Sequence, residues 1–415
     1  MLLKDKIRHI IAMPFWRKES TLISLWLIVA LIAAVKKLPA PNNYKVFCGM
    51  FHHTAKQLPL YVHYPDEYHD LSLYGPIFSI VIAPFALMPD WLGLLLWDVA
   101  LALLLFWAVR TFCINTNVPP TTISLHSHST STPFIIWFCA HELLIALFMQ
   151  QYNVAIAAGL IMTYYCVEKE KDFWAAFWII LGTFVKLYGI VGIAFFLFSK
   201  HKWRFTLSCL FWAVVMFVLP MLISSPEYIV NEYGEWYKCL IEKNNHNVVG
   251  WGEGIRRNMQ NISLLGIVRR ITLVATYSDL WLIIPGVLLF CAPYLRIKQW
   301  QSMEFRQTFL ASAMMFLCLF SSGTESSGYI TALIGCCIWY KCVPWERSKA
   351  DLWLMVFAFI LTSLSMSDLF PHYIRDEWVK PLALKALPVS VIWFKLSYEL
   401  LTKDYSAFNL QQRNL

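Results

Sequence analysis

Long apolar segments, separated by shorter polar ones, recur along most of the chain. Many of them match the roughly 17 to 25 residues of a membrane-spanning helix and exceed the length of about ten residues typical of a transmembrane strand. Lipid offers the backbone no hydrogen-bond partners, so such segments must form helices. The pattern therefore predicts an all-α fold, a polytopic bundle of transmembrane helices. We place twelve spans, at residues 21–36, 74–89, 91–109, 133–149, 153–166, 173–198, 205–223, 279–295, 307–322, 329–342, 351–367 and 382–402.

Composition supports this fold class. Of 415 residues, 58% are hydrophobic and 14% are charged, whereas soluble domains carry about 25% charged residues. We therefore expect one integral membrane domain over residues 1–415. The net charge of +8 does not indicate nucleic-acid binding, because the distribution of the basic residues marks one side of a membrane. The eleven cysteines show no CxxC or Cys/His ligand spacing, so we interpret them as small core residues rather than metal ligands or disulfides.

The basic residues are unevenly distributed between the two sides of the predicted bundle. With the basic arm, residues 1–20, placed in the cytoplasm, sixteen Lys and Arg residues lie in inner segments. The five in short outer loops are Arg110, Lys169, Lys171, Arg375 and Lys380. This excess follows the positive-inside rule and predicts that both termini are cytoplasmic. We expect the membrane to be a bacterial inner membrane.

Two outer segments are long under this topology, and the first spans residues 37–73. Among its aromatic residues are polar and titratable side chains, including Asn43, His53, Asp66, Glu67 and Asp70. A segment of this length and polarity between two spans favours a functional site over a plain connector. The alternative is a connector whose aromatic residues lie at the level of the lipid headgroups.

The second long outer segment, residues 224–278, is rich in arginine. Ile262, Leu265, Ile267 and Val268 recur at near-helical spacing, which predicts an amphipathic helix at the membrane surface. The arginines of interest are Arg256, Arg257, Arg269 and Arg270. Guanidinium groups suit phosphate oxygens, which belong either to a substrate or to lipid headgroups.

Charged residues inside spans are costly and are therefore candidate functional positions. Lys186 lies within the predicted span 173–198, where an ammonium group can neutralise a phosphate. The alternative is a structural ion pair with Glu142. Lys385 and Lys395 are closer to the ends of their span, so we expect both to be structural and able to reach the membrane interface.

Carboxylates in one outer segment and arginines in the other suggest group transfer from a phosphate-linked donor in the membrane. A carboxylate can take the proton from a hydroxyl nucleophile while cationic side chains bind phosphate oxygens. Motifs of soluble enzymes give no competing hypothesis, because the sequence contains no P-loop, GxGxxG, GxSxG or HExxH.

Four stretches, in order, resemble the family 87 glycosyltransferases, polytopic enzymes of the GT-C class. YGPIFSIVIAPFALMPDWLGLLLWDVALALLL (74–104) resembles their "YPP…P…LP…LW" segment, and GTFVKLYGIVGIAFFLF (182–198) resembles their lysine-bearing helix. NISLLGIVRRI (261–271) is similar to their "NQS…G…R" stretch, and Gln151 with Asn153 to their "GQ-N" step. The resemblance covers most of residues 38–330.

The resemblance implies a GT-C-like transferase that takes a hexose, usually mannose, from a polyprenyl phosphate on the outer face of the membrane. Family members carry their proposed base, an aspartate, at the position of Asn43, which cannot act as a base. We expect the carboxylate to have moved to Asp66, Glu67 or Asp70. Glu67 and Asp70 would share one face of a helical turn, where crowding raises one pKa. Asp66, directly after a proline, suits a helix N-cap.

The residues divide into three predicted groups. The catalytic candidates are Glu67, Asp70, Asp66 and Asn43. The candidates for binding the donor phosphate are Lys186, Arg256, Arg257, Arg269 and Arg270. The candidates for substrate binding are His53, Tyr74, Gln151, Asn153 and Asn261.

The leading hypothesis is an inverting hexosyltransferase whose partners are membrane lipids, the lipid-linked sugar and a glycan or lipid acceptor. It needs no cofactor beyond the donor lipid; a divalent metal is compatible with this chemistry but is not indicated. The main alternative is a transporter or flippase of a lipid-linked sugar, since charges at mid-membrane depth also suit transport. A membrane scaffold without chemistry would leave Lys186 unexplained.

Overall fold

The computed structural model describes residues 14–115, 131–249, 260–274 and 277–406, and every regular element within them is a helix. The α-helices are α1 (Glu19–Lys37), α2 (Asn42–Lys56), α3 (Phe78–Ala86), α4 (Asp90–Asn115), α5 (Ser131–Phe148), α6 (Asn153–Glu168), α7 (Asp172–Lys186), α8 (Lys202–Val218), α9 (Pro226–Val249), α10 (Leu264–Thr272), α11 (Leu280–Cys291), α12 (Met303–Leu319), α13 (Tyr329–Lys341), α14 (Lys349–Phe357), α15 (His372–Ile374) and α16 (Leu387–Thr402). The 3-10 helices are Pro14–Arg17, Tyr188–Phe198, Leu219–Leu222, Ala292–Leu295, Ile297–Gln299, Ser326–Gly328, Leu364–Met366 and Leu384–Ala386. The π-helices are Ala358–Ser363 and Arg375–Val379.

The structure supports a helical membrane protein. Among the described residues, four helical stretches are long and apolar enough to cross a membrane: Glu19–Lys37, Asp90–Asn115, Lys202–Leu222 and Lys349–Met366. Large apolar side chains on α8 face outward, which suits contact with lipid. The all-α fold class is therefore confirmed, while the number of twelve spans stays a prediction.

The core of the bundle lies around α6, α12 and α13. Most residues of these three helices are buried on every side, as expected for helices that are apolar all round. Helix α12 packs along α13, while α6 packs against α4 and α7. Nine of the eleven cysteines are buried free thiols, which confirms the interpretation as core residues for these nine, whereas Cys209 is half-buried and Cys291 is exposed.

The described ends of the chain lie at the same end of the bundle, which we call the terminal end. The contacts that define it are Arg110–Glu19, Phe134–Tyr340, Arg347–Glu399, Arg296–Lys403 and Arg306–Glu168. We call the opposite end the far end. Its defining contacts are Asn43–Met149, Leu60–Glu232, Gln151–Glu325, Lys385–Ser326 and Arg270–Lys380.

The prediction of a single span at 173–198 is wrong, because the chain reverses after α7. Leu187 adopts a left-handed conformation with φ of 54°, and the following 3-10 helix runs back along α7. Gly189 makes this possible, since a Cβ atom there would lie 2.4 Å from the Thr183 nitrogen. The two limbs are matched in length, at about 22 Å each. Lys186 therefore lies at the tip of a helical hairpin.

This hairpin changes the assignment of the loop that contains Lys169 and Lys171. The Ser199 hydroxyl donates to the Asp172 carboxylate over 2.9 Å, and Lys200 Nζ lies 2.7 Å from Glu170 Oε1. Residues on both sides of the hairpin therefore lie together at the terminal end. Lys169 and Lys171 belong to this end, not to the opposite side on which the sequence analysis placed them.

The predicted span at 74–89 is also wrong. Its helix, α3, has only nine residues, about half of what a span requires. Helix α4 follows with 26 residues, about 39 Å, and carries Arg110 to the terminal end, where it pairs with Glu19. Arg110 therefore also changes sides relative to the sequence analysis.

Both long outer segments are more helical than predicted. The first, 37–73, contains the fifteen-residue helix α2. The second, 224–278, begins with the 24-residue helix α9, which the sequence analysis did not predict. The amphipathic helix expected around Ile262 to Val268 is confirmed as α10. Its position at the membrane surface stays a prediction.

Candidate functional site

Lys186, at the tip of the hairpin, forms hydrogen bonds with two amide side chains at the start of α6. Its Nζ atom lies 2.8 Å from Gln151 Oε1 and 3.0 Å from Asn153 Oδ1. These two amides and Lys186 were predicted site residues, and the structure brings all three together. The alternative of an ion pair between Lys186 and Glu142 is wrong, because Glu142 pairs with Lys385.

A carboxylate that the sequence analysis missed completes this cluster. Gln151 Nε2 donates to Glu325 Oε2 over 2.5 Å, and Asn153 Nδ2 donates to the Ser327 hydroxyl over 2.9 Å. Glu325 and Ser327 belong to the polar turn between α12 and α13. An acidic residue in a short turn between two apolar runs was the available signal, but nothing in the sequence connects it to Gln151, 174 residues away.

Two tyrosine rings enclose the Lys186 ammonium group. Its Nζ atom lies 5.5 Å from the Tyr74 ring centre and 5.4 Å from that of Tyr188, within the range of cation–π attraction. Tyr74 is held there because the next residue, Gly75, donates its backbone N–H to the Val185 carbonyl over 3.0 Å. The predicted site residue Tyr74 is therefore a direct neighbour of Lys186.

The N-terminus of α2 brings Asn43 next to the amide cluster. Asn43 Nδ2 donates to the Met149 carbonyl over 2.8 Å, and the Tyr44 N–H donates to Gln150 Oε1 over 3.2 Å. Gln150 directly precedes Gln151 in the chain. Asn43, where the sequence resemblance predicts an aspartate in the family, thus lies beside the segment that binds Lys186.

Asp70 lies at the same helix N-terminus. Asn42 Nδ2 donates to Asp70 Oδ2 over 2.6 Å, and Asn42 Oδ1 accepts the His69 N–H over 2.8 Å. A carboxylate is favoured at this position because unpaired N–H groups and the helix dipole make a helix N-terminus positive. Asp70 therefore contacts the direct neighbour of Asn43.

Glu67 pairs with His53 and not with the N-terminus of α2. Its carboxylate lies 3.2 Å from His53 Nε2, while His53 Nδ1 faces the Tyr68 hydroxyl at 3.4 Å. The expectation that Glu67 and Asp70 share one helical face is wrong: residues 65–67 form a turn and the chain then continues without a helix. Each carboxylate binds a different side chain of α2 instead. The N-cap role expected for Asp66 is wrong for the same reason, because no helix begins there.

The arginines of α10 are buried within the protein rather than open to the far end. Arg269 has no exposed side-chain surface, and its Nη2 atom lies 2.5 Å from Asp279 Oδ1. Arg270 is 2% exposed and donates to the Lys380 carbonyl over 3.2 Å. Asn261 is buried beneath the start of α10, where its carbonyl contacts Gly266. Arg256 and Arg257 lie outside the described residues.

A second lysine, Lys385, contacts the turn that carries Glu325. Its Nζ atom lies 2.6 Å from Glu142 Oε1 and 2.8 Å from the Ser326 hydroxyl. The side chains of Lys385 and Glu142 are 1% and 0% exposed, so the expectation that Lys385 reaches the interface is wrong. Lys395, which is 36% exposed and pairs with Asp351, does lie near the surface. Ser326 adjoins Glu325, so the buried pair holds the turn that carries this carboxylate.

The arrangement combines groups that suit a phosphate-linked substrate. Lys186 carries a positive charge whose two hydrogen-bond acceptors are neutral amides, so its charge can still be neutralised by an anion. Asp70 and Glu325 supply carboxylates that can accept protons or hydrogen bonds from hydroxyl groups. All of them lie at the far end of the bundle.

Comparison with known proteins identifies the family. No curated protein matches the chain. The family model described as glycosyltransferase family 87 matches residues 73–322, which is more than half of the chain and includes Tyr74, Gln151, Asn153 and Lys186. This agrees with the resemblance carried by the sequence motifs. The chain therefore belongs to glycosyltransferase family 87.

Proposed function

We propose that this membrane glycosyltransferase transfers a hexose, with mannose as the first candidate, from a polyprenyl-phosphate donor to an acceptor hydroxyl on the outer face of the membrane. The observation that carries the proposal is the environment of Lys186. An ammonium group partly removed from water is costly unless its charge is compensated. Lys186 is half-buried, its direct hydrogen-bond acceptors are uncharged amide oxygens, and the Glu325 carboxylate lies beyond the Gln151 amide. The phosphate of a lipid-linked sugar would bring a negative charge into direct contact with the ammonium group.

In the proposed reaction the anomeric carbon is inverted. A carboxylate removes the proton of the acceptor hydroxyl, and the hydroxyl oxygen attacks the anomeric carbon. The bond between that carbon and the phosphate oxygen breaks, and polyprenyl phosphate leaves with the electron pair. Lys186 stabilises the charge that develops on the departing phosphate.

Asp70 is the strongest candidate for the base. It lies at the N-terminus of α2, bound to the neighbour of Asn43, and so offers a carboxylate close to the position of the family's aspartate. Glu67 is a weaker candidate, because its carboxylate already pairs with His53, whose side chain is 3% exposed. This pair ties His53 to the turn that carries Glu67. We infer that Glu67 and His53 shape the segment that presents Asp70.

Transport of a lipid-linked sugar is the second candidate function. It is favoured by the interruption of the helix at Leu187, which places a charged residue at the break. Broken helices of this kind often bind substrates in transporters. Membership of a glycosyltransferase family makes transfer the stronger proposal.

The test uses purified full-length protein, radiolabelled polyprenyl-phosphate hexoses and a membrane extract as the source of acceptor. We expect Lys186→Met to lower the transfer rate by about a hundredfold or more, as loss of a preorganised electrostatic contact does. The variant should fold, because Gln151 Oε1 also accepts hydrogen bonds from Asn153 and Ser327. Lys186→Gln serves as a second, polar variant.

The exposed residue Lys349 supplies the control, and Lys349→Met should transfer at the wild-type rate. Wild-type rates in both folded Lys186 variants would overturn the assignment of Lys186 to the donor phosphate. Movement of the labelled lipid across vesicles without any transfer would favour transport instead.

A further inference from the structure

Glu325 is a carboxylate at the site that uses only one of its two oxygens for hydrogen bonds with the described residues. Its Oε2 atom accepts the hydrogen bond from Gln151 Nε2. Its Oε1 atom has no hydrogen-bond partner within the described part of the chain, and the side chain is only partly buried. A carboxylate oxygen is an acceptor only, so this atom is suited to a ligand that brings hydrogen-bond donors.

The position of Glu325 relative to Lys186 restricts that ligand. One amide group, that of Gln151, separates the two side chains through hydrogen bonds of 2.8 and 2.5 Å. Because the oxygen and nitrogen of one amide are about 2.3 Å apart, Nζ and the bound carboxylate oxygen are at most about 8 Å apart. A single pyranose ring bridges such a distance. The negative charge of Glu325 disfavours contact with phosphate, so the hydroxyl groups of the ring would face it.

The side chains next to Glu325 include other groups that can form hydrogen bonds with hydroxyl groups. Asn153, Tyr188, Thr324 and Glu325 line the same cavity. It therefore offers an aromatic ring together with amide, hydroxyl and carboxylate groups. These are the group types that fix the orientation of a polar ligand.

We propose that Glu325 binds hydroxyl groups of the donor hexose and determines which sugar the protein accepts. This inference rests on the proposed function, because it takes the phosphate at Lys186 to be that of a polyprenyl-phosphate sugar. It adds the position of the sugar itself. Ser326, bound to the buried Lys385, holds the turn in place, so Glu325 is presented by a fixed backbone rather than a free loop.

The test measures binding rather than turnover, with the purified full-length protein in detergent. Two lipids are compared: a polyprenyl-phosphate hexose and the same polyprenyl phosphate without sugar. Glu325→Gln keeps an oxygen that can accept from Gln151 but loses the charge. We expect it to weaken binding of the sugar-bearing lipid by about tenfold or more, since hydrogen bonds to charged groups are the stronger ones. Binding of the sugar-free lipid should stay within about twofold, which is too small a change to reflect a lost hydrogen bond.

Lys186→Met should weaken both lipids, and the exposed control Glu346→Gln should weaken neither. A second readout compares deoxy-hexose donors: wild type should reject the analogue that lacks the bound hydroxyl, and Glu325→Gln should discriminate less. Equal effects of Glu325→Gln on both lipids, or no effect on either, would overturn the proposal. Selective binding in a wild-type protein that transfers no sugar would retain the sugar site and remove the proposed reaction.

Discussion

In the proposed reaction Asp70 supplies the carboxylate that the family resemblance places at Asn43. Asp70 is one hydrogen bond from Asn42. We expect Asp70→Asn to lower the transfer rate by about a hundredfold or more, as removal of a general base does. Glu67→Gln should have a smaller effect, because it loosens the contact with His53 rather than removing the base. Rates are measured with saturating labelled donor on protein of verified thermal stability.

A second variant tests whether the loss in Asp70→Asn can be reversed. Asn43→Asp places a carboxylate where the family has one, so it should restore part of the activity lost in Asp70→Asn if both positions face the acceptor hydroxyl. Full activity in Asp70→Asn would show that the base lies elsewhere, and Glu325 would then be the next carboxylate to replace.

At the residue scale, the sequence marks positions where a polar or charged group is costly, and the structure brings three of them, Lys186, Gln151 and Asn153, into contact. Lys186 is conspicuous because a charge within an apolar run is unfavourable, and Gln151 and Asn153 because they interrupt one. The interaction partners of such residues could not be predicted in this way. The Lys385–Glu142 pair joins residues 243 positions apart, and no local pattern relates them. Glu325 was missed for the same reason, since a carboxylate in a turn is ordinary until its neighbour is known.

At the element scale, the buried pair of Lys385 and Glu142 connects α5 to the chain just before α16. Lys385→Met leaves the Glu142 carboxylate buried without its cation, so we expect a loss of about 3 to 5 kcal/mol in the free energy of unfolding. The double variant Lys385→Met with Glu142→Met should recover most of that loss, because both charges are then absent. Thermal unfolding in detergent measures both. A single variant as stable as the wild type would contradict a structural pair.

Helix α9 is attached to the first outer segment by a buried carboxylate. Glu232, 3% exposed, accepts the Leu60 N–H over 3.0 Å. Burial raises the pKa of the Glu232 carboxyl above its ordinary value of 4.5, although this N–H acts in the opposite direction. The folded protein therefore holds the proton more tightly than the unfolded chain. Stability contributed by this proton is present below pH 4.5 and is lost as the pH rises through the raised pKa.

This gives a pH-dependent prediction for the attachment. Glu232→Gln keeps an acceptor for Leu60 without a titrating group, so its stability should change less than that of wild type as the pH rises above 4.5. Glu232→Ala leaves the Leu60 N–H without its acceptor and should cost about 1 to 3 kcal/mol at any pH. Parallel pH profiles of wild type and Glu232→Gln, from thermal unfolding, would show that Glu232 does not titrate differently on folding.

Element boundaries followed from the hydropathy pattern wherever one apolar run forms one helix, as in α1, α4 and α8. The pattern could not show that 173–198 folds back on itself, because both limbs of the hairpin are apolar and the reversal depends on Leu187 and the close approach at Gly189. Nor could it show that α9 is a helix, since its sequence is largely polar and lacks the apolar signal on which span prediction depends.

For the whole molecule, the two corrected segments strengthen the argument from charge. Arg110, Lys169 and Lys171 counted against the positive-inside rule in the sequence analysis, yet all three lie at the terminal end with the other basic loops. The bundle therefore has a more uneven distribution of Lys and Arg than the sequence alone indicated. This supports the expectation that the terminal end faces the cytoplasm and the candidate site faces outward.

Labelling of single cysteines tests this topology. In a variant whose exposed Cys291 and half-buried Cys209 are replaced by serine, cysteines are introduced one at a time at Lys171, Lys200 and Lys238. Each is probed with a membrane-impermeant maleimide in intact cells and in inverted vesicles. We expect Lys171→Cys and Lys200→Cys to be labelled only in inverted vesicles, because both flank the hairpin at the terminal end. Lys238→Cys, on α9 at the far end, should be labelled in intact cells.

Labelling of Lys171→Cys and Lys200→Cys from opposite sides would overturn the hairpin, whereas labelling of all three from the reversed sides would keep the hairpin and invert the orientation. In that second case the site around Lys186 would face the cytoplasm, and the proposal of transfer on the outer face would fail with it.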